Sequence, residues 1–294
     1  MRQLPTEKRV MILNMLVEGM SMRAISRTVG VSINTVTKLL VDAGSACAEY
    51  HDQTVRNVKA TRVECDEIWS FWYAKEKNVE KARAAPKGAG DVWTWTAIDA
   101  DSKMILSFEI GDRSAETAYD FMLDLSRRVE GRMQLTTDGH KAYLEAVEGV
   151  FGGDIDYAML VKQYGKPDGG EGHERKYSPA ICTGTKKKKV SGDPIKELIS
   201  TSYVERQNLS MRMGMRRFTR LTNAFSKKLQ NHLHMLSLYF VHYNFVRIHK
   251  TLKVTPAMAA GVSDSLHDME WVVSLIDARA PKPKRPSTYK KKEV

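Results

Sequence analysis

The chain has 294 residues, of which 42% are hydrophobic and 8% aromatic. This is enough apolar material for one large core or two smaller ones, so a wholly disordered chain is excluded. Lys and Arg number 46 against 35 Asp and Glu, which leaves a net charge of +11. A basic excess of this kind is typical of proteins that bind polyanions, above all nucleic acids.

The cysteines and the apolar segments indicate a cellular location. Cys47, Cys65 and Cys182 are far apart and form no C-x-x-C pair, so they favour a reducing compartment over a disulfide framework or a four-cysteine zinc site. The most apolar segment, 233–246, contains polar residues and is shorter than the roughly 20 residues of a membrane span. The first residues lack the apolar region of a secretory signal. We therefore expect a cytoplasmic protein with no membrane partner.

Residues 1–45 predict three short helices, the last two of which form a helix-turn-helix DNA-binding domain. Three hydroxyl residues are predicted N-caps: Thr6, Ser21 and Ser32. Gly30 separates the second helix from a third, predicted from Ile33 to Val41. The third helix would present three polar side chains to the major groove: Asn34, Thr35 and Lys38. The alternative is a small helical packing module with a solvated polar face.

After a predicted linker over residues 46–60, the pattern changes from helical to extended. Five segments are predicted strands: Arg62–Trp72, Val92–Asp99, Met104–Ile110, Met133–Thr137 and Tyr157–Gln163. Helices over 114–129 and 141–147 separate the last three strands. The order βββαβαβ predicts an α/β fold with a mixed five-stranded sheet.

The second half of the chain begins with a Gly/Lys-rich segment over about 164–196, predicted as a loop insertion. Its lysine run is either a phosphate-binding element or a solvated stretch, and consists of Lys186, Lys187, Lys188 and Lys189. Two long helices are predicted over 197–217 and 226–246, with a short one after Thr255 and a last one from Asp264 to Ala278. The basic tail over 281–294 is expected to be disordered.

Three carboxylates call for an explanation, because an acidic side chain in apolar surroundings is costly. Asp66 lies inside the first strand, Asp138 ends the fourth, and Glu205 lies in the helix after the fifth. If the first and fourth strands are neighbours, Asp66 and Asp138 lie side by side, and the helix can bring Glu205 against them. Converging carboxylates repel one another unless cations lie among them. The pattern predicts a Mg²⁺ site, with Mn²⁺ as a substitute.

Two such ions about 3.5 to 4 Å apart can hold the attacking and leaving oxygens of a displacement at phosphorus. Asp66 would contact both ions, Asp138 one ion and Glu205 the other. These three residues are therefore both the predicted catalytic residues and the predicted metal ligands. Asn208 and Arg212 share a helix face with Glu205, which makes them candidates for contact with DNA phosphate.

Each carboxylate also has a purely structural explanation. An Asp before Gly, as at Asp138, is a common turn residue, and a helical Glu followed by Arg is ordinarily solvated. Strand alternation puts Glu64 on the same sheet face as Asp66 and Glu67 on the opposite face. His140 is predicted to be a polar neighbour rather than a ligand. The metal site is favoured by the joint placement of the three carboxylates.

The order of these motifs resembles a known family. The segments E-C-D-E-I-W-S-F, T-T-D-G-H-K-A-Y and S-Y-V-E-R-Q-N-L-S-M-R, around Asp66, Asp138 and Glu205, are similar to the three motifs of the insertion-sequence-one (IS-one) family of DDE transposases. The segment from Tyr243 to Ala259 is similar to one that follows the catalytic helix in many insertion-sequence transposases. The likeness covers residues 20–262 or nearly so.

The resemblance implies an RNase H-like catalytic domain over residues 61–262, followed by a helix over 263–280. It implies two-metal cleavage at transposon ends and strand transfer into target DNA by a homodimer or higher homo-oligomer. Relatives commonly carry an N-terminal zinc ribbon, and this chain has no cysteine before Cys47. A DNA-binding regulator and a structure-selective nuclease of the same fold are the alternatives.

Overall fold

The computed structural model describes residues 4–165, 181–219 and 225–279. Its helices lie on both faces of one mixed sheet. The basic tail over 281–294 lies outside the described residues, as do residues 166–180 of the predicted loop insertion.

Three helices open the chain: α1 (Thr6–Val17), α2 (Met22–Val29) and α3 (Ile33–Thr54). Ser21 and Ser32 cap α2 and α3 as predicted, because their hydroxyl oxygens accept backbone N–H groups of the first turn. Gly30 adopts the left-handed conformation that ends α2. Thr6 is the first helical residue rather than the cap, since Pro5 precedes it at the cap position.

The third helix is longer than the sequence predicts. Residues 46–54, assigned to a linker from the sequence, continue α3. The reason is a buried face that persists at four-residue spacing through Ala43, Cys47 and His51. Gly44 interrupts the helical pattern in the sequence, but in the structure it serves packing rather than ending the helix.

The described strands form one six-stranded sheet rather than the predicted five-stranded one. The strands are β1 (Arg62–Trp72), β2 (Gly90–Asp99), β3 (Ile105–Gly111), β4 (Gln134–Thr137), β5 (Asp156–Gly165) and β6 (Ile181–Ser191). Their order is β3-β2-β1-β4-β5-β6. β4 is parallel to both β1 and β5, and the remaining neighbours are antiparallel. The condition under which Asp66 and Asp138 are expected to lie side by side, that the first and fourth strands are neighbours, holds in the structure.

The unpredicted strand β6 contains the lysine run. The prediction of a loop over 164–196 is wrong for its two ends, because β5 extends to Gly165 and β6 begins at Ile181. The signal is missing because consecutive lysines, exposed on both faces of the strand, give no alternation of apolar and polar residues. Lysines at the edge of a sheet also protect it against pairing with other strands.

Helices cover both faces of the sheet: α4 (Ala115–Ser126) and α5 (Ala142–Phe151) on one, α6 (Ser202–Gly214) and α7 (Leu229–Val241) on the other, followed by α8 (Pro256–Ala259) and α9 (Met269–Arg279). Trp95 of β2 packs against Phe121 and Tyr143 on the α4 and α5 side. On the opposite side α3 crosses α7 so closely that a Cβ atom on Gly44 would lie 2.4 Å from the Cβ atom of His234.

The C-terminal helices are shorter than predicted. The long helices predicted over 197–217 and 226–246 are α6 and α7 with irregular turns beside them, including a π-helical turn over His242–Val246. Thr255 caps α8 as expected. The last helix begins at Met269, five residues after the predicted Asp264 cap.

The N-terminal helices share a core with the sheet. One cluster of buried apolar side chains extends from Ile12 of α1 through β1 and β2 to Val273 of α9. Arg9 of α1 pairs with Asp277 of α9 at 2.6 Å. No helix among residues 4–165, 181–219 and 225–279 combines the length and apolar character that crossing a bilayer requires.

Candidate active site

The site lies where strand β4 ends beside β1. The last parallel pair joins Cys65 to Thr137. Beyond it β1 continues with Asp66 and Glu67, while the chain leaves β4 at Asp138. Because β4 is only four residues long, a gap opens next to the middle of β1, and side chains from both faces of that strand border it.

Three carboxylates converge on this gap. Asp66, Glu67 and Asp138 each offer an oxygen atom, and these oxygens lie within 4.8 Å of one another. Glu67 lies on the opposite face of β1 from Asp66, as strand alternation predicts, since its register partner Trp95 packs on the α4 and α5 side. Its carboxylate still approaches that of Asp66 because the pairing of β1 with β4 has already ended at this point. The Asp138 carboxylate also accepts the backbone N–H of His140 at 2.9 Å, which fixes the turn after β4.

Helix α6 is docked on β1 by two acidic side chains on the same strand face. Glu64 is buried, and its Oε2 atom accepts the backbone N–H groups of Tyr203 and Val204 at 2.7 and 3.1 Å. One turn further along α6, the Asn208 amide donates to the Asp66 carboxylate at 2.8 Å. The predicted rival Glu64 therefore holds the start of the helix and is not part of the carboxylate cluster.

Glu205 lines the same cavity as the other two predicted carboxylates, but it is not one of the three whose oxygens lie within 4.8 Å. Its carboxylate forms an ion pair with Lys162 of β5 and accepts the hydroxyl of Thr201. Burial lowers the pKa of Lys162, but the hydrogen bond and charge of Glu205 outweigh it and raise the pKa overall. The charge of Lys162 thus balances that of Glu205.

The cavity has a volume of about 900 Å³ and is open to solvent. Besides the carboxylates, the described lining includes the amide of Asn208 and four cationic side chains: Arg113, Lys141, Lys162 and Arg212. Asn208 and Arg212 were predicted to be near Glu205 and share its cavity. Acidic groups at the base with cations around them are the arrangement expected of a site that receives a phosphate group near a metal ion.

Burial and mutual repulsion shift the acidity of the clustered groups. Burial, together with the charges of Asp138 and Glu205, raises the pKa of Asp66 to about 7. Burial and the charges of Asp138 and Asp66 raise the pKa of Glu67 to about 8, against the opposing effect of Arg113. Burial and the Arg113 charge lower the pKa of His140. A cation bound among the carboxylates would favour their ionised forms.

The donor set fits a hard divalent cation. All the converging atoms are oxygens, the ligand type that Mg²⁺ and Mn²⁺ prefer. Among the described residues, two buried oxygens at this cavity have no hydrogen-bond partner: Oε1 of Glu67 and Oδ1 of Asn208. Buried polar atoms are ordinarily paired. These two oxygens are therefore available to a bound ligand such as a cation.

Of the nine predicted DNA-binding residues, Asn208 and Arg212 line the cavity and the other seven are not part of its described lining. Asn34, Thr35 and Lys38 occupy the first turns of α3, with Lys38 paired to Asp42 at 2.5 Å. Lys186, Lys187, Lys188 and Lys189 lie on β6. Lys187 donates to the carbonyl oxygen of Lys196 at 2.8 Å, and Lys189 pairs with Asp193 at 2.6 Å.

Sequence reasoning missed Glu67, Arg113 and Lys162 as members of this site. For Lys162 a signal existed, because β5 lies next to β4 and a charged residue near its end borders the same gap. For Arg113 there was none, since its position depends on the path of the connection between β3 and α4. Its guanidinium lies 4.7 Å from the ring centroid of Trp93 and 3.4 Å from the Glu67 carboxylate.

Comparison with known proteins gives limited similarity. No family model and no curated protein matches the chain. Matching solved structures include a Mos1 transposase paired-end complex with the left transposon end (12% identity, TM-score 0.22), a pre-cleavage Mos1 transpososome (10%, 0.21) and a Mos1 mariner paired-end complex with Mn (11%, 0.22). Each match covers 53% of this chain and 59–60% of the solved one, so this chain spans less than two thirds of those proteins. At these TM-scores the likeness by itself indicates no function for this chain.

Proposed function

We propose that this protein is a DDE transposase of the IS-one type, which cleaves DNA at the ends of its insertion sequence and joins them to target DNA. The observation that carries the proposal is one cavity lined by Asp66, Asp138 and Glu205 together with four cationic side chains. Divalent cations bound by these carboxylates would activate an oxygen nucleophile and stabilise the leaving oxygen at phosphorus. Mg²⁺ is the expected ion, and Mn²⁺ is expected to substitute.

The remaining residues of the cavity support this chemistry through position and charge. Asn208 holds the Asp66 carboxylate by a hydrogen bond, which orients a proposed metal ligand. Arg113 and Arg212 line the same cavity and can contact the phosphates that flank the reacting one. Lys162 pairs with Glu205 and places a positive charge beside this carboxylate.

DNA is the proposed partner at two further surfaces. The exposed start of α3, with Asn34 and Lys38, suits recognition of a transposon end through a helix-turn-helix. The lysines of β6 suit contact with the DNA backbone, which is independent of sequence. Because two transposon ends must be brought together, we propose a homodimer or higher homo-oligomer, acting on DNA in the cytoplasm.

A strand-joining assay tests the function. The donor is a supercoiled plasmid carrying the gene with its natural flanking DNA, the target is a second plasmid, and Mg²⁺ or Mn²⁺ is supplied. Wild-type protein is expected to form joined products. Asp66→Asn should abolish joining and leave DNA binding intact, because the substitution removes a metal-binding charge and keeps the shape. Asp101→Asn, at an exposed aspartate outside the cavity, is the matched control and should join normally.

Two results would contradict the proposal and identify the alternatives. Cleavage of the donor without joined products indicates a structure-selective nuclease of this fold. Binding of the flanking DNA with neither cleavage nor joining, in Mg²⁺ and in Mn²⁺, indicates a DNA-binding regulator.

A further inference from the structure

Glu67 is the carboxylate of the cavity that the proposed triad does not use. We propose that Glu67 is a direct ligand of a divalent cation, so that Asp66, Glu67 and Asp138 together form one cation site at the end of β4. The inference rests on the proposed function only in placing a metal ion in this cavity. It adds Glu67 as a fourth carboxylate to the three already proposed. The cation of this site is bound by Asp66, Glu67 and Asp138, and Glu205 is not one of its ligands.

The first argument is distance. Oxygens of Asp66, Glu67 and Asp138 lie within 4.8 Å of one another, a separation that a shared ion can bridge with modest side-chain movement, since hard cations bind oxygens at about 2.0 to 2.6 Å. Glu205 is outside this group, and its carboxylate already has a cationic partner in Lys162. Among the three close carboxylates, Glu67 and Asp138 share the single guanidinium of Arg113, so a bound cation would supply charge that Lys162 does not.

The second argument is that Glu67 is buried and that its Oε1 atom has no hydrogen-bond partner among the described residues. The Glu67 side chain is only 2% exposed. The Tyr143 hydroxyl is close enough to lower the pKa of Glu67 but does not reach Oε1 with hydrogen-bond geometry. A buried carboxylate is costly unless it is paired or binds a metal.

The third argument is that Arg113 does not fully satisfy Glu67. The Arg113 guanidinium lies 3.4 Å from Oε2 of Glu67 and 4.0 Å from Oδ2 of Asp138. At these distances Arg113 pairs with two of the three carboxylates and leaves Oε1 of Glu67 without a partner. Arg113 therefore competes weakly with a bound ion for the same negative charge, and removing it should strengthen ion binding.

Binding of Mn²⁺ alone to the full-length protein, followed by the electron paramagnetic resonance signal of free Mn²⁺, tests the inference without DNA. Glu67→Gln keeps the side-chain shape and removes the charge, and should weaken Mn²⁺ binding by about 10- to 100-fold. Glu109→Gln, on β3 outside the cavity, is the matched control and should leave the affinity unchanged. Glu205→Gln should weaken Mn²⁺ binding to the site of Asp66, Glu67 and Asp138 much less than Glu67→Gln does.

Arg113→Gln provides a test that leaves Glu67 in place, in case Glu67→Gln does not fold. It should tighten Mn²⁺ binding, because the competing guanidinium is gone. If Glu67 serves only to hold Arg113, the two substitutions should instead have the same effect. Equal weakening by both, or an unchanged affinity in Glu67→Gln with native circular dichroism, would overturn the inference.

The outcome is separable from the fate of the transposase proposal. If wild-type protein joins DNA strands and Glu67→Gln binds Mn²⁺ like wild type, the ligand role of Glu67 fails and the function stands. If wild-type protein joins no strands but Glu67→Gln loses Mn²⁺, the function fails and the cation site stands.

Discussion

At the scale of single residues, the raised pKa of Asp66 links the protonation of this carboxylate to metal binding. Burial and neighbouring carboxylates raise the pKa of Asp66 to about 7. Near neutral pH the folded protein without metal therefore holds this group between its neutral and ionised forms. A bound cation favours the ionised form of Asp66, because its positive charge offsets that of the carboxylate. Metal binding at this site should therefore release protons.

We predict that Asp66 makes the metal-free protein less stable as the pH rises from about 4 to about 7. The folded state binds the Asp66 proton more tightly than the unfolded state does, so ionisation in this window favours unfolding. In a chelator, Asp66→Asn should match wild type near pH 4 and become the more stable protein toward pH 7, as measured by denaturant unfolding at each pH.

Asp101→Asn should show the opposite sign in the same experiment. The hydrogen bond from Arg62 lowers the pKa of Asp101, so this aspartate stabilises the folded state above its usual pKa and the effect disappears on acidification. If Asp66→Asn gives no stability advantage at neutral pH, the repulsion among the carboxylates is weaker than the geometry indicates.

At the scale of elements, the position of α6 relative to β1 determines whether the site exists. The helix carries Glu205 and Asn208, and the Glu64 carboxylate binds the free N–H groups of its first turn. Glu64 does the work of an N-cap, although it comes from a strand about 140 residues earlier. The negative charge also interacts favourably with the positive end of the helix dipole.

Glu64→Ala, which removes the accepting oxygens, should loosen the start of α6 and cost roughly 0.5 to 2 kcal/mol of folding stability, the range of a lost helix cap. Amide hydrogen exchange should accelerate in the first turn of α6 more than in α4, whose own cap at Ser114 is untouched. Strand joining should fall with it, because Glu205 lies on the loosened turn. Unchanged exchange in α6 would show that packing against β1 alone holds the helix.

At the scale of the whole molecule, the N-terminal helices and the sheet form one packed body. α3 has 22 residues, about 33 Å at 1.5 Å per residue, so one continuous helix joins its exposed start to its end beside the sheet. A Cβ atom on Gly19, after α1, would lie 2.7 Å from the carbonyl oxygen of Met213 in α6. The end of α1, which precedes the proposed helix-turn-helix, thus packs directly on the helix that carries Glu205.

The net charge of +11 belongs to the whole molecule. Replacing lysines of β6 tests whether they contribute to DNA binding beyond this overall charge. If Lys186 and Lys188 contact phosphates, replacing both with Gln should weaken binding to all DNA sequences alike. The slope of log affinity against log salt should then fall by about 0.9 for each lost contact. Replacing Lys81 and Lys87, two exposed lysines of the loop after β1, gives a control of equal charge. Equal slopes in both variants would exclude β6 as a specific DNA contact.

An element of this fold can be predicted from the sequence when its own residue types indicate it, and is missed when contacts with distant residues hold it in place. β1 has the predicted bounds because it is rich in aromatic and β-branched residues, the types that are enriched in strands. β6 was missed because lysines carry no such signal, and its place comes from hydrogen bonds to β5. The extension of α3 was missed because its second half is held by burial against α7 and the sheet.

The sequence by itself indicated the residues of interest, the carboxylates at 66, 138 and 205, and the basic charge of the chain. The tertiary structure placed β1 beside β4, so that Asp66 and Asp138 lie close together. Only the tertiary structure decided how the site is completed. It paired Glu205 with Lys162, made Glu64 a helix cap and brought Glu67 to the gap beyond β4. The physical reason is that residue type and periodicity are local, whereas the end of a short strand and the docking of a helix depend on contacts between residues far apart in the chain.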